Sequence, residues 1–174
     1  MVVTGAAQGI GRRLALSLVA EGVDVLIADW NAEKGEAVAL EAAPGTGRRL
    51  FVRTDVASEE SCRATIQTAK DAFGGVFGLV NNASIFSTLE MRPFWDIPSE
   101  EWDRVQAVNL KGVFNMTRAA REALVASGEG SVVNIASSTI HFGRPNYAHY
   151  VSSKAGVMGL SGQWRANSAR SACV

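Results

Sequence analysis

The chain alternates between short segments rich in β-branched residues and longer amphipathic segments, and this alternation repeats five times. The short segments, at 2–3, 23–28, 49–52, 75–80 and 131–135, have the composition of strands. The longer segments, at 9–21, 32–43, from Ser58, at 99–127 and from about Ala148, place apolar residues at helical spacing. Segment 23–28 is almost entirely apolar, as expected of a strand covered on both faces. The pattern predicts an α/β fold with a doubly wound parallel sheet.

Length and charge narrow the classes of function. The 174 residues suit one globular domain, and Lys+Arg 17 balance Asp+Glu 17, so no basic surplus exists for nucleic acid. No apolar run reaches the ~20 residues of a membrane-spanning helix, and the first residues lack signal-peptide character. Cys62 and Cys173 lie in no Cys/His cluster, which argues against a metal site. We therefore expect a soluble, cytoplasmic domain without a metal.

Three glycines mark the junction of the first strand and the first helix. Gly5, Gly9 and Gly11 are spaced Gly-x-x-x-Gly-x-Gly, and a helix N-terminus after such a turn offers free N–H groups to a pyrophosphate. A glycine-rich loop that merely turns the chain is the alternative. Asp29 favours the binding site, because an acid at the end of the second strand can hold the ribose hydroxyls of a dinucleotide. The same carboxylate repels a 2′-phosphate, so NAD is predicted rather than NADP.

Further motifs follow in a fixed order. They are Asp55-Val56 after the third strand, Asn81-Asn82-Ala83 after the fourth, Asn109 in the long helix, Ser137 after the fifth strand, and Tyr150-x-x-x-Lys154. With this set the chain resembles the short-chain dehydrogenase/reductase family from Met1 to about Leu160. The resemblance implies a single Rossmann-type NAD-binding domain over 1–174, with five strands present and the last strands of the family fold missing.

The resemblance also implies roles for individual residues. Tyr150 exchanges a proton with the substrate oxygen, Ser137 hydrogen-bonds the same oxygen, Lys154 holds the nicotinamide ribose and Asn109 anchors a water-linked proton relay. A free tyrosine has a pKa of about 10, and a nearby ammonium such as that of Lys154, four residues along a helix, favours the phenolate. The implied cofactor contacts are Gly5, Gln8, Gly9, Ile10, Gly11, Asp29, Asp55, Val56, Asn81, Ala83, Tyr150 and Lys154.

Several neighbouring residues compete for these roles. Tyr147 has Val151 rather than a lysine four residues later, so Tyr150 is the better acid–base candidate. Spacing to Tyr150 favours Ser137 over Ser138. His149 lies about 100° around the helix from Tyr150 and is predicted to be structural. His141 lines a substrate pocket or packs locally, and the sequence leaves both open.

The resemblance is expected to end at Leu160, which makes 161–174 an aberrant tail. When residues 162–174 are back-translated into codons and the bases are read in a shifted frame, the translation is a segment of the kind that the family carries there. We therefore expect a one-base loss near Ser161, in the gene or in its reported sequence. A divergent C-terminus is the alternative.

The motifs together predict an NAD-dependent oxidoreductase that acts on a small-molecule secondary alcohol or ketone. A non-catalytic dinucleotide-binding remnant is the alternative, and a structural partner with the same fold is a third. An apolar set near the expected pocket favours a hydrophobic or aromatic substrate: Ile85, Phe86, Phe94, Trp95, Ile140, His141 and Phe142. We expect at most a homodimer, because the second interface of the usual family tetramer uses segments absent from this sequence.

Overall fold

A five-stranded parallel sheet forms the centre of the computed structural model, which describes residues 1–41 and 45–168. The strands are Val2–Thr4 (β1), Val25–Asp29 (β2), Arg49–Arg53 (β3), Gly78–Asn81 (β4) and Ser131–Asn134 (β5). Their order in the sheet is β3-β2-β1-β4-β5, and every neighbouring pair is parallel. The predicted Rossmann-type α/β fold is confirmed, with all five strands in place.

Helices connect the strands. They are Gly9–Ala20 (α1), Ala32–Leu40 (α2), Glu59–Phe73 (α3), Ser99–Gln106 (α4), Gly112–Ala126 (α5), Thr139–Phe142 (α6) and Ala148–Ser168 (α7). A π-helical segment, Ala107–Lys111, joins α4 to α5, so the predicted helical stretch 99–127 is continuous but changes its winding. The predicted second helix ends at Leu40 instead of 43, and the remaining positions 42–43 lie outside the described residues.

Successive strand residues pack on opposite faces of the sheet, as the two-residue repeat of a strand requires. Val2, Leu26 and Leu79 join an apolar cluster with α3 and α5, whereas Val3 and Ile27 join a cluster with α1 and α2. All five of these strand side chains are completely buried. The two clusters explain why the central strands are nearly continuous apolar runs.

Two strands begin later than the sequence pattern predicts. β2 begins at Val25 rather than at 23, because the Val23 N–H caps α1 by donating to Leu18 O over 3.0 Å. Gly22, at φ +84°, allows the chain to turn there. β4 begins at Gly78 rather than at 75, after Gly74 has ended α3 in the left-handed conformation.

β5 lies at an edge of the sheet and pairs only with β4 among the described residues. Its side chains alternate between exposed and half-buried, and Val133 keeps 47% of its surface exposed. β5 is thus an exposed edge strand within the described part of the chain.

Candidate functional site

The glycine-rich turn joins β1 to α1 at the carboxyl end of the sheet. Gly5 (φ +64°) and Gly9 (φ +56°) adopt the left-handed conformation, which favours glycine. A side chain on Gly5 would place its Cβ 2.7 Å from Ala83 Cα, so only glycine lets the turn approach the end of β4 this closely. α1 begins at Gly9, and its first N–H groups therefore point at whatever occupies the space before the helix.

Asp29 joins this turn to the end of β2. Its carboxylate accepts a hydrogen bond from the Ala7 N–H over 2.9 Å through Oδ2 and another from the Asn31 N–H over 2.9 Å through Oδ1. Beside it, Lys34 Nζ donates to Gln8 Oε1 over 2.9 Å. The turn is thereby fixed to β2 through the Ala7 N–H and to α2 through the Gln8 side chain.

A cavity of about 670 Å³ opens in front of the turn and lies within the size range of small-molecule sites. It extends along the carboxyl ends of β1 to β4, the position at which open α/β sheets bind ligands. Its lining is Gly5, Gln8, Gly9, Ile10, Ala28, Asp29, Trp30, Thr54, Asp55, Val56, Ala57, Asn82, Ala83, Ser84, Ile85, Arg104, Ala107 and Val108.

Most of the sequence-predicted cofactor residues line this cavity. They are Gly5, Gln8, Gly9, Ile10, Asp29, Asp55, Val56 and Ala83. Tyr150 and Lys154 lie on α7 and do not line it, and neither do Gly11 and Asn81. Gly11 is buried where a Cβ would collide with the Gly5 carbonyl, and the Asn81 amide donates to Thr117 Oγ1 (3.0 Å) and Asn134 Oδ1 (2.8 Å) inside the domain. Both residues thus support the turn and the strand rather than the cavity wall.

Asn82 was not predicted as a site residue, although it lines the cavity and its side-chain amide holds the turn after β1 against the end of β4. Its Nδ2 donates to Thr4 O and Gly5 O, both over 3.0 Å, while Thr4 Oγ1 accepts from the Asn82 and Ala83 N–H groups. Trp30, Thr54, Ala57 and Arg104 also line the cavity without having been predicted. Asn82 was detectable, as a neighbour of Asn81 in the same motif. Trp30 and Arg104 gave no signal, because neither residue belongs to a recognisable pattern.

Asn109 lies in the π-helical segment and is completely buried. Its side chain accepts from the Ile85 N–H (2.7 Å), donates to Ile85 O (3.0 Å) and lies 3.3 Å from Ser153 Oγ on α7. π-Helical turns inside α-helices occur frequently at functional sites. Asn109 therefore connects the loop after β4 to the helix that carries Tyr150.

Tyr150 and Lys154 are neighbours on α7, and both are almost fully buried. Lys154 Nζ lies 5.9 Å from the centre of the Tyr150 ring and donates to Ile135 O over 2.7 Å, just after β5. Burial lowers the pKa of Lys154 from 10.5 to about 8, since an ammonium loses hydration in this environment. The lysine still carries its charge for most of the time at neutral pH.

Ser137 lies two residues beyond Ile135, in the segment that follows β5. Its Oγ accepts from Thr139 Oγ1 (2.9 Å) and the Thr139 N–H (3.3 Å). Tyr150 packs instead against Phe86, with ring centres 4.5 Å apart, and Phe86 also contacts Tyr147 at 5.4 Å. The structure thus brings Asn109, Tyr150 and Lys154 into one cluster and places Ser137 on the same edge of the sheet.

The two histidines occupy different environments. His149 is completely buried, with Nε2 3.3 Å from Glu101 Oε1, and its backbone carbonyl accepts from Gln106 Nε2 over 2.8 Å. It therefore packs α7 against α4, in agreement with a structural role. His141 lies on the short helix α6 and is exposed.

Comparison with known proteins agrees with this arrangement of motifs. The model of the family described as short chain dehydrogenase matches residues 1–173. The chain belongs to the short-chain dehydrogenase family. The match extends past Leu160, where the sequence resemblance was expected to stop, and α7 continues to Ser168. Positions 169–174 of the expected aberrant tail lie outside the described residues, and the proposed base loss stays a prediction.

Curated relatives match most of the chain. A 3-oxoacyl-acyl-carrier-protein reductase of Staphylococcus aureus is 38% identical over 92% of the chain and 64% of its own length. A short chain dehydrogenase/reductase of Aspergillus oryzae is 35% identical over 92% of the chain and 61% of its own length. An oxidoreductase of Thermotoga maritima is 36% identical with the same coverage, 92% and 61%. The chain thus spans less than two thirds of the length of these relatives. Within the described residues, no helix has the length and apolar character needed to cross a membrane.

Proposed function

We propose that the chain is an NAD-dependent oxidoreductase that transfers a hydride between nicotinamide and a secondary alcohol or ketone, with Tyr150 as the acid–base residue. The observation that carries this proposal is the position of the Tyr150–Lys154 pair. Both side chains lie on the helix that packs against Asn109, whose π-helical segment also contributes Ala107 and Val108 to the cavity wall. Ile85 lines the cavity and packs against the apolar cluster that contains Tyr150, so a ligand that extends past Ile85 would approach the tyrosine.

The residues around the cavity fit a dinucleotide. The N-terminus of α1 with Gly9 and Ile10 would hold the pyrophosphate, because free N–H groups and the helix dipole attract anions. The Asp29 carboxylate retains acceptor capacity beyond its two backbone hydrogen bonds and would hold the adenosine ribose. Asp55, whose Oδ1 accepts from the Ala57 N–H at 2.9 Å, would contact the base.

A preference for NAD over NADP rests on Asp29. A 2′-phosphate would bring about two negative charges next to this carboxylate, which costs binding energy in a partly buried site. Two basic groups lie near this corner: Lys34 Nζ donates to Gln8, and the Arg53 guanidinium lies over the Trp30 ring. Neither lines the cavity, whereas the Asp29 carboxylate does.

The chemistry then follows from the side chains in place. Bound nicotinamide supplies or accepts the hydride. Tyr150 gives its phenolic proton to the oxygen of a ketone or takes one from an alcohol, and Lys154 Nζ lies 5.9 Å from the centre of its ring. Ser137 would donate its hydroxyl hydrogen to the same oxygen, since its Oγ acts towards Thr139 only as an acceptor. Asn109 holds the segment around Ile85 next to α7 through its hydrogen bonds to Ile85 and Ser153.

The test measures binding and turnover separately. Titration of the purified chain with NAD, NADH and NADP by calorimetry gives affinity and preference. Turnover is then followed by NADH absorbance with a panel of hydrophobic secondary alcohols and ketones, including a 3-oxoacyl compound, because the name of the Staphylococcus aureus relative contains 3-oxoacyl-acyl-carrier-protein. Turnover abolished in the Tyr150→Phe variant supports the proposal. NAD binding with no turnover of any substrate favours the non-catalytic remnant instead.

A further inference from the structure

Trp30 is the largest exposed apolar side chain on the cavity wall. It follows β2 directly after Asp29 and keeps 62% of its surface exposed. Single exposed apolar residues are ordinary, but an indole on the wall of this cavity is positioned to contact a ligand.

The indole has a fixed partner on the neighbouring strand. The Arg53 guanidinium lies over the Trp30 ring, 4.5 Å from its centre, at a distance typical of a cation–π contact. Arg53 ends β3 and is in register with Asp29 at the end of β2, so the pairing of the two strands sets this contact. A cation on one face of an indole orients the ring and leaves the other face to a planar ligand.

We propose that Trp30, oriented by Arg53, is a stacking wall for the purine base of the bound nucleotide. This inference rests on the proposed dinucleotide function. If the hydride is exchanged beside Tyr150, the nicotinamide must lie near α7 and Asn109, and the opposite end of the dinucleotide reaches the part of the cavity formed after β2 and β3. Trp30, Thr54, Asp55 and Val56 line that part.

The chemistry of the wall fits a base rather than a sugar or a phosphate. Every nucleobase offers a flat π-face, and stacking on an aromatic side chain stabilises it without requiring hydrogen bonds. The guanidinium behind the indole adds an electrostatic attraction to the stacked pair. Asp29 and Asp55 line the cavity and would repel a phosphate, whereas the Arg53 guanidinium is held on the indole and does not line the cavity, so the base is the part of the ligand that this wall suits.

The test compares variants of the intact chain in calorimetric titrations with 5′-AMP and with NAD. Trp30→Ala should weaken binding of both ligands by a similar factor, about 5- to 150-fold, because base–aromatic stacking contributes about 1–3 kcal/mol. Trp30→Phe keeps a flat ring and should retain most of the affinity. Trp95→Ala removes an exposed indole that does not line the cavity, and it should leave binding unchanged.

Arg53 is tested as a positioning residue by a double-mutant cycle. Arg53→Gln should weaken AMP binding in the Trp30 background but not in the Trp30→Ala background, since it acts through the indole. Quenching of tryptophan fluorescence by AMP should disappear in Trp30→Ala and persist in Trp95→Ala.

Each outcome decides between the two proposals. If a folded Trp30→Ala variant binds AMP with the affinity of the wild type and also binds NAD, the stacking wall is overturned. The oxidoreductase proposal is left intact by that result. A loss that Trp30→Phe does not restore also overturns it, because a disturbed loop then explains the effect. A wild-type chain that binds neither NAD nor AMP overturns both proposals.

Discussion

The Asp29 carboxylate accepts the Ala7 N–H over 2.9 Å and so ties the end of β2 to the glycine-rich turn before α1. One side chain therefore shapes the turn and faces the cavity at the same time. The ribose-binding role proposed for Asp29 uses a carboxylate that the fold already holds in place, which reduces the entropic cost of binding.

Removal of the Asp29 carboxylate should weaken NAD binding and reduce the preference for NAD over NADP. Hydrogen bonds to a charged group contribute about 1.5–3 kcal/mol, so the Kd for NAD in Asp29→Ala should rise about 10- to 150-fold. Asp24→Ala is the matched control, because Asp24 lies just before β2 and pairs with Arg48 away from the cavity. Calorimetric titration checks both variants, and equal NAD affinity in the two would exclude the proposed role.

Tyr150→Phe should bind NAD almost as well as the wild type and lose most turnover. The substitution removes only the transferable proton and keeps the ring that packs against Phe86. General acid–base groups contribute about 10²–10⁴-fold to the rate. Tyr147→Phe serves as the control, since Tyr147 also packs on Phe86 but has no lysine four residues later. Steady-state rates with saturating substrate decide the matter, and wild-type turnover in Tyr150→Phe would remove Tyr150 from the mechanism.

The buried Lys154 predicts a pH dependence of stability. Burial lowers its pKa from 10.5 to about 8 in the folded chain, so between these values the unfolded chain holds more protons. Higher pH then favours the folded state: the destabilisation is complete below pH 8 and disappears as the pH approaches 10.5. One pKa unit corresponds to about 1.4 kcal/mol, which gives a change of about 3 kcal/mol in the free energy of unfolding.

Urea unfolding of the wild type and of Lys154→Met between pH 7 and 10 measures this change. The variant also loses the hydrogen bond to Ile135 O, but that loss does not vary with pH. The stability of the wild type relative to the variant should therefore increase with pH. A constant difference would show that Lys154 is better hydrated than its buried position implies.

Asn109→Leu should destabilise the domain. The substitution keeps the branched shape of the side chain with a somewhat larger volume, but leaves the Ile85 N–H and C=O without their side-chain partner. Each unsatisfied buried group costs about 1–3 kcal/mol, and we expect a loss of about 3 kcal/mol. Urea unfolding measures it, and a loss below about 1 kcal/mol would mean that water replaces the amide. Asn109→Asp should lose at least as much at neutral pH, because a carboxylate at this completely buried position has no counter-charge among its described contacts and faces Ile85 O.

The sequence was informative wherever a local pattern carries its own physical cause. Alternating strands and helices predicted the sheet, and the glycine spacing predicted a turn that needs positive φ at Gly5 and Gly9. The sequence did not reveal that Asn81 has a structural role. Its side-chain amide donates hydrogen bonds to Thr117 and Asn134, and both residues are distant from it in sequence. The stacking of Arg53 on Trp30 depends on the register of two strands and was likewise hidden.

An apolar face formed by the long helices predicts self-association. Leu110, Phe114 and Leu160 line a shallow depression between the α4–α5 stretch and α7, and Phe114 keeps 42% of its surface exposed. Such a face suits a two-fold interface, in which the same patch on two copies packs against itself. We expect a homodimer in solution through these helices.

Phe114→Glu should convert this dimer into a monomer, because a pair of carboxylates at the two-fold axis is desolvated and mutually repelled. Leu40→Glu introduces the same charge at an exposed position of α2, 85% exposed and outside this face, and should remain dimeric. Light scattering at several concentrations gives the mass of each form. A monomeric wild type, or a dimer that survives Phe114→Glu, would move the interface elsewhere or remove it. The Arg118 guanidinium, which lies 5.0 Å from the Phe114 ring centre, could pair with the new carboxylate in the monomer and so keep the variant soluble.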